Sequence, residues 1–507
     1  MTRGTAGVLL VLDGWGLAPP DFANAIDTAN TPHLDLLGTR CPGALIDASG
    51  TAVGLLAGTV GNSEIGHMVI GAGRPVPYDS VLVHTEITSG GLRANKLLGD
   101  ACDRLAGDNG ALHLVGLCSD GQIHSDVGHL RELLLIAAEH AVRRVWIHAI
   151  TDGRDVADHT AASYLDRLEK YAAEAGVGRV ASVIGRGYAM DKSGNLEFSE
   201  DAVSAIADGI GLPVLVAHEA LDSTKSGDEW IVPSVVITAS GEPLGVVAAQ
   251  DAVLFTNFRS DRIQQLADFL VEHLASRGAR VLSLTQYDTK APIPALVGRA
   301  DSSGGLADEL ERHDLRSVRI AEAEKFEHVS YYVNGRDPRV RPGEQHVRIT
   351  GDKPPDYRTR PQMNIDRVVE AIIDASRRPD VDLVVANLAN IDVVGHTGDG
   401  AATVRAVEYT DDAVGRICAV ASEAGRWVLL VGDHGNGEQM EIRDADGIAR
   451  PYGGHTTNPV PLIFVSATDQ HPRRQLPATG TLADIAPTVL GLLGYPPGRA
   501  MTGRPLL

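Results

Sequence analysis

The run Trp427-Val428-Leu429-Leu430-Val431 is apolar at every position and closes on Gly432-Asp433-His434-Gly435-Asn436. A strand with no polar alternation has both faces covered, as in a parallel sheet sandwiched between helices. Wholly or mainly apolar runs return at residues 8–12, 112–117, 145–150, 180–184, 253–255, 281–284, 319–321, 329–333, 383–386 and 462–465. Helical spacing separates several of these runs, as at residues 129–142 and in the one-faced set Val404, Val407, Val414, Ile417 and Cys418. Asn30-Thr31-Pro32 reads as a further helix start. Such alternation predicts an α/β fold with doubly wound sheets. Open sheets of this kind collect ligands at the carboxyl ends of their strands, where Asp433 and His434 stand.

Other polar residues repeat that placement. Asp13 follows the run at 8–12, and Asp392 and His396 follow the run at 383–386, four residues apart as on one helical face. His455 lies in Gly453-Gly454-His455-Thr456-Thr457-Asn458-Pro459. Taken singly, each fits a helix cap, a surface pair or a loop histidine. Together they form an oxygen and nitrogen ligand set without thiolate, which suits manganese, cobalt, zinc or iron better than calcium or magnesium. Ser63, in Gly61-Asn62-Ser63-Glu64-Ile65-Gly66-His67, reads either as a helix N-cap or as a metal-activated nucleophile.

The middle of the chain carries arginines at strand ends: Arg154, Arg186, Arg259 and Arg262. If helical, Arg259 and Arg262 share a face that grips a phosphate or carboxylate. Asp155 is a general base or the partner of Arg154. His124, after a Ser-Asp-Gly turn, is a candidate donor to an anion. Lys325 either stabilises phosphoryl charge or pairs with Glu324 at the surface.

Candidate ligands lie only before Gly71 and after residue 391, and Gly/Pro-rich stretches at 71–77 and 291–294 read as linkers. The organisation expected is one metal-binding domain built from residues 1–77 and 299–507, with a substrate-binding domain of residues 78–298 inserted. A chain of 507 residues exceeds the ~250–300 that a single core supports. The net charge of -21 argues against nucleic acid as a partner but leaves room for an anionic small molecule. Four scattered cysteines fit a reducing compartment, and no stretch approaches the ~20 apolar residues of a membrane span. A cytoplasmic monomer is expected.

The chain resembles the cofactor-independent phosphoglycerate mutases, members of the alkaline-phosphatase-like metalloenzyme superfamily. The motifs that carry the resemblance are Leu12-Asp13-Gly14-Trp15-Gly16, Gly61-Asn62-Ser63-Glu64-Ile65-Gly66-His67, Thr151-Asp152-Gly153-Arg154-Asp155 and Asn257-Phe258-Arg259-Ser260-Asp261-Arg262. Glu324-Lys325, Val394-Gly395-His396-Thr397-Gly398, Asp433-His434-Gly435-Asn436 and His455-Thr456-Thr457-Asn458-Pro459 continue the series in order. The resemblance implies an alkaline-phosphatase-like domain and two divalent ions, manganese first, with cobalt or zinc as alternatives. It implies that Asp392, His396 and His455 bind one ion and Asp13, Ser63, Asp433 and His434 the other. Ser63 would carry the phosphoserine. His124, Arg154, Asp155, Arg186, Arg259, Arg262 and Lys325 would contact a phosphorylated hydroxy acid, with Asp155 and Lys325 catalytic.

Departures gather on the substrate side. Lys192, in Met190-Asp191-Lys192-Ser193-Gly194, stands where the family typically has an arginine followed by a basic stretch. Pro75-Val76-Pro77-Tyr78 and the glycines at 90–91 also differ from typical members. The leading expectation is interconversion of 2- and 3-phosphoglycerate, with Lys192 still gripping the substrate. The alternative is transfer of a phosphonyl group, such as phosphonoformyl from a CMP-activated donor, onto 3-phosphoglycerate in phosphonate biosynthesis. A metal-dependent phosphohydrolase is third.

Overall fold

The computed structural model describes residues 4–21, 23–191, 194–351, 356–443, 447–467 and 476–507. The chain folds into two compact units, Met1–Tyr78 with Asp301–Leu507, and Asp79–Ala300.

The first unit is organised by Gly7–Leu12, whose six residues are all buried. This strand pairs in parallel with Leu383–Leu388 on one side and Trp427–Gly432 on the other. The sheet order is Glu344–Ile349, Ser317–Glu322, Leu383–Leu388, Gly7–Leu12, Trp427–Gly432, Val460–Val465, Gly43–Asp47 and Thr479–Thr481. The first five strands are mutually parallel, and Val460–Val465 runs against both of its neighbours. Alternate residues Val8, Leu10 and Leu12 pack with Val368, Val369 and Ile372 of the helix Ile365–Arg377 and with Val407, Val414 and Ile417 of Gly400–Glu423. Register then places the chemistry. Leu12 lies beside Leu388 and Gly432, so Asp13 and Asp433 leave the sheet in the same row at its carboxyl edge.

Two expected elements differ. Residues 329–333, read as a strand, lie instead in and just after the helical turn His328–Tyr332. Val329 and Val333 are its deeply buried apolar residues, and their spacing of four is the helical repeat, which outweighs β propensity here. The supposed linker at 71–77 begins inside the helix Ser63–Ala72, which Gly73 ends at φ 64°. A left-handed C-terminal residue of that kind favours glycine.

The second unit has its own sheet, in the order Ala295–Val297, Arg280–Thr285, Ala252–Phe255, Ala111–Leu117, Arg144–Thr151, Arg179–Gly185, Ser234–Val236 and Leu212–Val214. All neighbours are parallel except Arg179–Gly185 against Ser234–Val236. A buried polar chain crosses it. Asp251 Oδ2 lies 3.3 Å from His113 Nε2, His113 Nδ1 lies 3.0 Å from His148 Nε2, and His148 Nδ1 lies 2.9 Å from Ser182 Oγ. Among the described residues, no helix of the protein is long and apolar enough to cross a membrane.

Burial pushes His113 below, and His148 well below, the ordinary imidazole range. Both hold a proton less readily in the fold than in the unfolded chain, so their stabilisation is present above the unfolded value near ~6.5 and is lost as pH falls below it. Denaturant unfolding of the wild type should therefore weaken between about pH 7 and 5, and His148→Gln should flatten that slope. Equal slopes in the two proteins would show that His148 is not buried neutral.

Candidate active site

Four strand ends and one helix start deliver the first cluster. Asp13 follows Gly7–Leu12, Asp433 and His434 follow Trp427–Gly432, Asp392 lies on the short helix Asn390–Gly395 just past Leu383–Leu388, and Lys325 follows Ser317–Glu322. Ser63 opens the helix Ser63–Ala72. Its N-cap is Asn62, whose side chain accepts from Ile65 N at 3.0 Å. Capping is thus done by the neighbour, and the Ser63 hydroxyl is left to face the carboxylates. Two glycines permit the close approach. Gly14 turns at φ 76°, and a Cβ on Gly66 would meet Asp433 O at 2.7 Å.

Ser63 Oγ sits at the centre. It lies 2.9 Å from His434 Nε2 and donates to Asp13 Oδ1 at 3.2 Å, while Lys325 Nζ donates to it at 2.6 Å. Lys325 Nζ also donates to Asp13 Oδ1 at 2.8 Å and to Asp392 Oδ2 at 2.6 Å. The alternative of a surface lysine paired with Glu324 is therefore wrong; Glu324 accepts instead from Tyr357 at 2.9 Å. Asp392 Oδ1 lies 3.3 Å from His396 Nε2 and 3.2 Å from His455 Nε2, and those two nitrogens are 3.3 Å apart. The other imidazole atoms are tied down: His396 Nδ1 is 2.8 Å from Gly453 O and His455 Nδ1 is 2.9 Å from Gly61 O. Backbone carbonyls thereby fix both rings with Nε2 turned into the site. Asp433 Oδ1 accepts from Gly14 N at 3.1 Å, and its Oδ2 lies 3.6 Å from His434 Nε2.

The electrostatics follow from burial of like charges. Burial alone would raise Asp13 and Asp392, but Lys325 together with the neighbouring histidines (His434 for Asp13, His396 and His455 for Asp392) reverses the effect and holds both carboxylates below their usual range. Burial would likewise lower Lys325, yet Asp13 and Asp392 keep its ammonium well above the ordinary lysine value. Burial lowers His434 too, and Asp433, Asp13 and Asp392 reverse the effect, lifting it to about 9. His396, close to Asp392, is raised, whereas burial and the neighbouring His434 lower His455.

These residues fit divalent cations. Asp392, His434 and His455 converge as one potential ligand group and Asp13, Asp433 and His434 as another. Asp433 Oδ2 is buried and accepts no hydrogen bond. The separations of 3.2–3.3 Å among Asp392, His396 and His455 are those of donors about 2.1 Å from a shared ion. Once His434 and His396 give up their protons to ligate, three buried carboxylates against a single lysine leave negative charge for such ions to neutralise.

The second unit carries the other site candidates. Arg186 is buried, with Nη1 2.5 Å from Asp152 Oδ1 and 2.8 Å from Asp155 Oδ2, and with Nη2 unpartnered among the described residues. Asp155 is thus the partner of Arg186, not of its neighbour Arg154, which is 3.6 Å from Glu229. Burial raises Asp155 above the ordinary carboxylate value, with Arg186 opposing. Burial pushes His124 down to about 3, Asp261 opposing and Arg259, Arg186 and Arg262 reinforcing. Arg262 is lowered by burial and then by Arg154 and Arg186. His124, Arg154, Asp155, Arg186 and Arg262 thus share one field. Arg259 lies 3.0 Å from Asp261, which is 3.4 Å from His124. The conditional helical pairing of Arg259 with Arg262 does not occur, because both precede the helix Gln264–Leu274. Lys192 lies outside the described residues.

Sequence reasoning passed over several supports. Asp152 receives backbone bonds from Arg154 and Asp155 at 3.1 and 2.9 Å, so its place in Thr151-Asp152-Gly153-Arg154-Asp155 was a usable signal. Asn436 donates to Asp392 Oδ1 at 3.4 Å. His67 stands one helical turn after Ser63, and that spacing of four was also visible. Nothing local singles out Asn387, which donates to Asp13 Oδ2 at 2.6 Å.

A family model described as the metalloenzyme superfamily matches residues 5–497. A 2,3-bisphosphoglycerate-independent phosphoglycerate mutase of Streptomyces coelicolor is 62% identical over 503 residues, spanning 99% of this chain and 98% of that protein. A protein of the same name from Chloroflexus aurantiacus is 37% identical over 539 residues, spanning 100% of this chain and 99% of its own. Among solved structures, a phosphoglycerate mutase of Leishmania mexicana at low cobalt concentration matches with a TM-score of 0.81 and 29% identity, covering 99% of this chain and 98% of that one.

Protein stripped with a chelator and titrated with Mn²⁺ should take up two ions per chain and unfold at a higher temperature as it fills. Asp392→Asn should weaken uptake about tenfold or more. Calorimetry that finds no uptake by the stripped wild type would rule out the cation site.

Proposed function

Because the chain belongs to the metalloenzyme superfamily and, within it, to the 2,3-bisphosphoglycerate-independent phosphoglycerate mutases, we propose that it interconverts 2- and 3-phosphoglycerate through a phosphoserine at Ser63. The observation that carries this reading is the Ser63 hydroxyl, buried between Lys325 Nζ at 2.6 Å and His434 Nε2 at 2.9 Å. In this reading Asp392, His396 and His455 hold one divalent ion and Asp13, Ser63, Asp433 and His434 the other, with manganese preferred and cobalt or zinc as substitutes. When bound, such ions supply Lewis acidity that favours the serine alkoxide and offsets phosphoryl charge.

Ser63, whose hydroxyl proton leaves to solvent as the alkoxide forms, attacks phosphorus through Oγ, and the bond from phosphorus to the glycerate oxygen breaks. The Lys325 ammonium, kept charged by Asp13 and Asp392, balances charge on the phosphoryl oxygens. Asp155, raised by burial, delivers a proton to the departing glycerate oxygen and so becomes the base for the other hydroxyl. Glycerate then turns, its second hydroxyl gives up a proton to Asp155, and its oxygen attacks phosphorus as the bond from phosphorus to Ser63 Oγ breaks, which returns the serine as its alkoxide. Arg154, Arg186, Arg259 and Arg262 hold the anionic substrate, with the unpartnered Arg186 Nη2 available as a donor. His124, neutral through burial, donates without adding charge. Lys192 is retained as a further substrate contact. The unit Met1–Tyr78 with Asp301–Leu507 would then be the phosphoryl-transfer domain and Asp79–Ala300 the substrate-binding domain, in a cytoplasmic monomer. High identity to a mutase over nearly the whole chain favours this reading over phosphonyl transfer.

Incubation with 3-phosphoglycerate alone, with no nucleotide-activated donor, should yield 2-phosphoglycerate by phosphorus NMR. Ser63→Ala should lower turnover by at least about a thousandfold. Wild-type protein quenched during turnover should carry phosphate on Ser63 by mass spectrometry, and an adduct confined to another residue would overturn the assignment.

A further inference from the structure

His67 and Asn387 lie beneath the cluster and belong to neither ligand group. Both are fully buried. His67 Nδ1 donates to the Ser63 carbonyl at 2.8 Å and lies 3.1 Å from Asp433 Oδ2, the carboxylate oxygen that accepts no hydrogen bond. Its other nitrogen, Nε2, is 3.0 Å from Asn387 Nδ2, which also donates to Asp13 Oδ2 at 2.6 Å. The amide must present its nitrogen here, since its oxygen would face the Asp13 carboxylate. Asn387 then gives one hydrogen to Asp13 and the other to His67 Nε2. That leaves the His67 proton on Nδ1, directed at Ser63 and Asp433. On its outer side His67 packs edge-on against His328, with ring centroids 5.3 Å apart, which holds the plane of the imidazole.

We propose that His67 and Asn387 form a positioning brace for the cation held by Asp13, Ser63, Asp433 and His434. The inference rests on the two-cation reading above. One oxygen of Asp13 is occupied by Asn387, which turns the other, Oδ1, toward Ser63 and His434. The His67 proton is donated to the Ser63 carbonyl, and the ring nitrogen that carries it lies 3.1 Å from the inner oxygen of Asp433, which its dipole attracts. Two carboxylates and a nucleophile from distant parts of the chain are thereby aligned by two neutral side chains, which add no charge to compete with the cation. Outer partners that orient ligands in this way typically contribute 10–100-fold to metal affinity. The cluster of Asp392, His396 and His455 makes no hydrogen bond to either residue among those described here.

Mn²⁺ titration of chelator-stripped protein by calorimetry reads the effect without activity. His67→Leu should bind one Mn²⁺ about 10–100-fold more weakly and the second as the wild type does. Adding His455→Ala should then abolish the ion that survives. His67→Gln, which keeps a donor and an acceptor on one side chain, should restore much of the lost affinity. Asn387→Leu should weaken the same ion, and it carries the test if His67→Leu shows no cooperative unfolding. Two ions bound with wild-type affinity in both Leu variants would overturn the brace, as would equal weakening of both ions. A wild type that binds fewer than two ions would instead bring down the two-cation reading on which the brace rests.

Discussion

Three buried carboxylates, Asp13, Asp392 and Asp433, are gathered at one sheet edge with a single ammonium, Lys325, to balance them. Isolated, each group would be driven to its neutral form by the loss of water. Held together, they make a place where cations are stabilised and where a serine hydroxyl is surrounded by charge. The upward displacement of His434 and the elevated Lys325 are both consequences of that excess negative field. The rest of the first unit can be read as the frame that keeps these groups from relaxing apart.

The frame works through register. Five parallel strands end in a common row, so residues brought from distant parts of the chain become neighbours without any long-range search by side chains. The helix Ser63–Ala72 then approaches the Asp433 backbone so closely that Gly66 has no room for a side chain. Asn62 caps that helix and releases the hydroxyl of Ser63 for chemistry. Packing of Val8, Leu10 and Leu12 beneath the row makes displacement of any one ligand costly to the core.

The second unit solves a different electrostatic problem. Clustered guanidinium groups repel one another and lose water when buried. Asp152 and Asp155 compensate Arg186, while Asp152 also ties down the loop carrying Arg154. The cost appears in Arg262, lowered by burial and its arginine neighbours, and in His124, left neutral. Asp155 is raised above its ordinary carboxylate value even beside the Arg186 guanidinium, because burial outweighs that attraction.

Much of this was legible before folding was considered. Uninterrupted apolar runs define covered strands, and an Asp or His just after such a run can only appear at a sheet edge. That local logic located Asp13, Asp392, His396, Asp433 and His434, and the motif series marked Ser63, His455 and the arginines. It failed at residues 329–333, read as a strand, where spacing made a helical turn. It left Lys325 open between surface and site, because burial depends on what other segments cover it. Asn387, hidden inside the apolar strand Leu383–Leu388, gave no local sign at all. Its role arises only when register sets it beside Asp13, since hydrogen-bond partners between strands are decided by non-local pairing. The sequence by itself determined which residues have suitable chemistry and which end of a strand they occupy; the tertiary structure alone decided which of them meet, because distance along the chain says nothing about distance across a sheet.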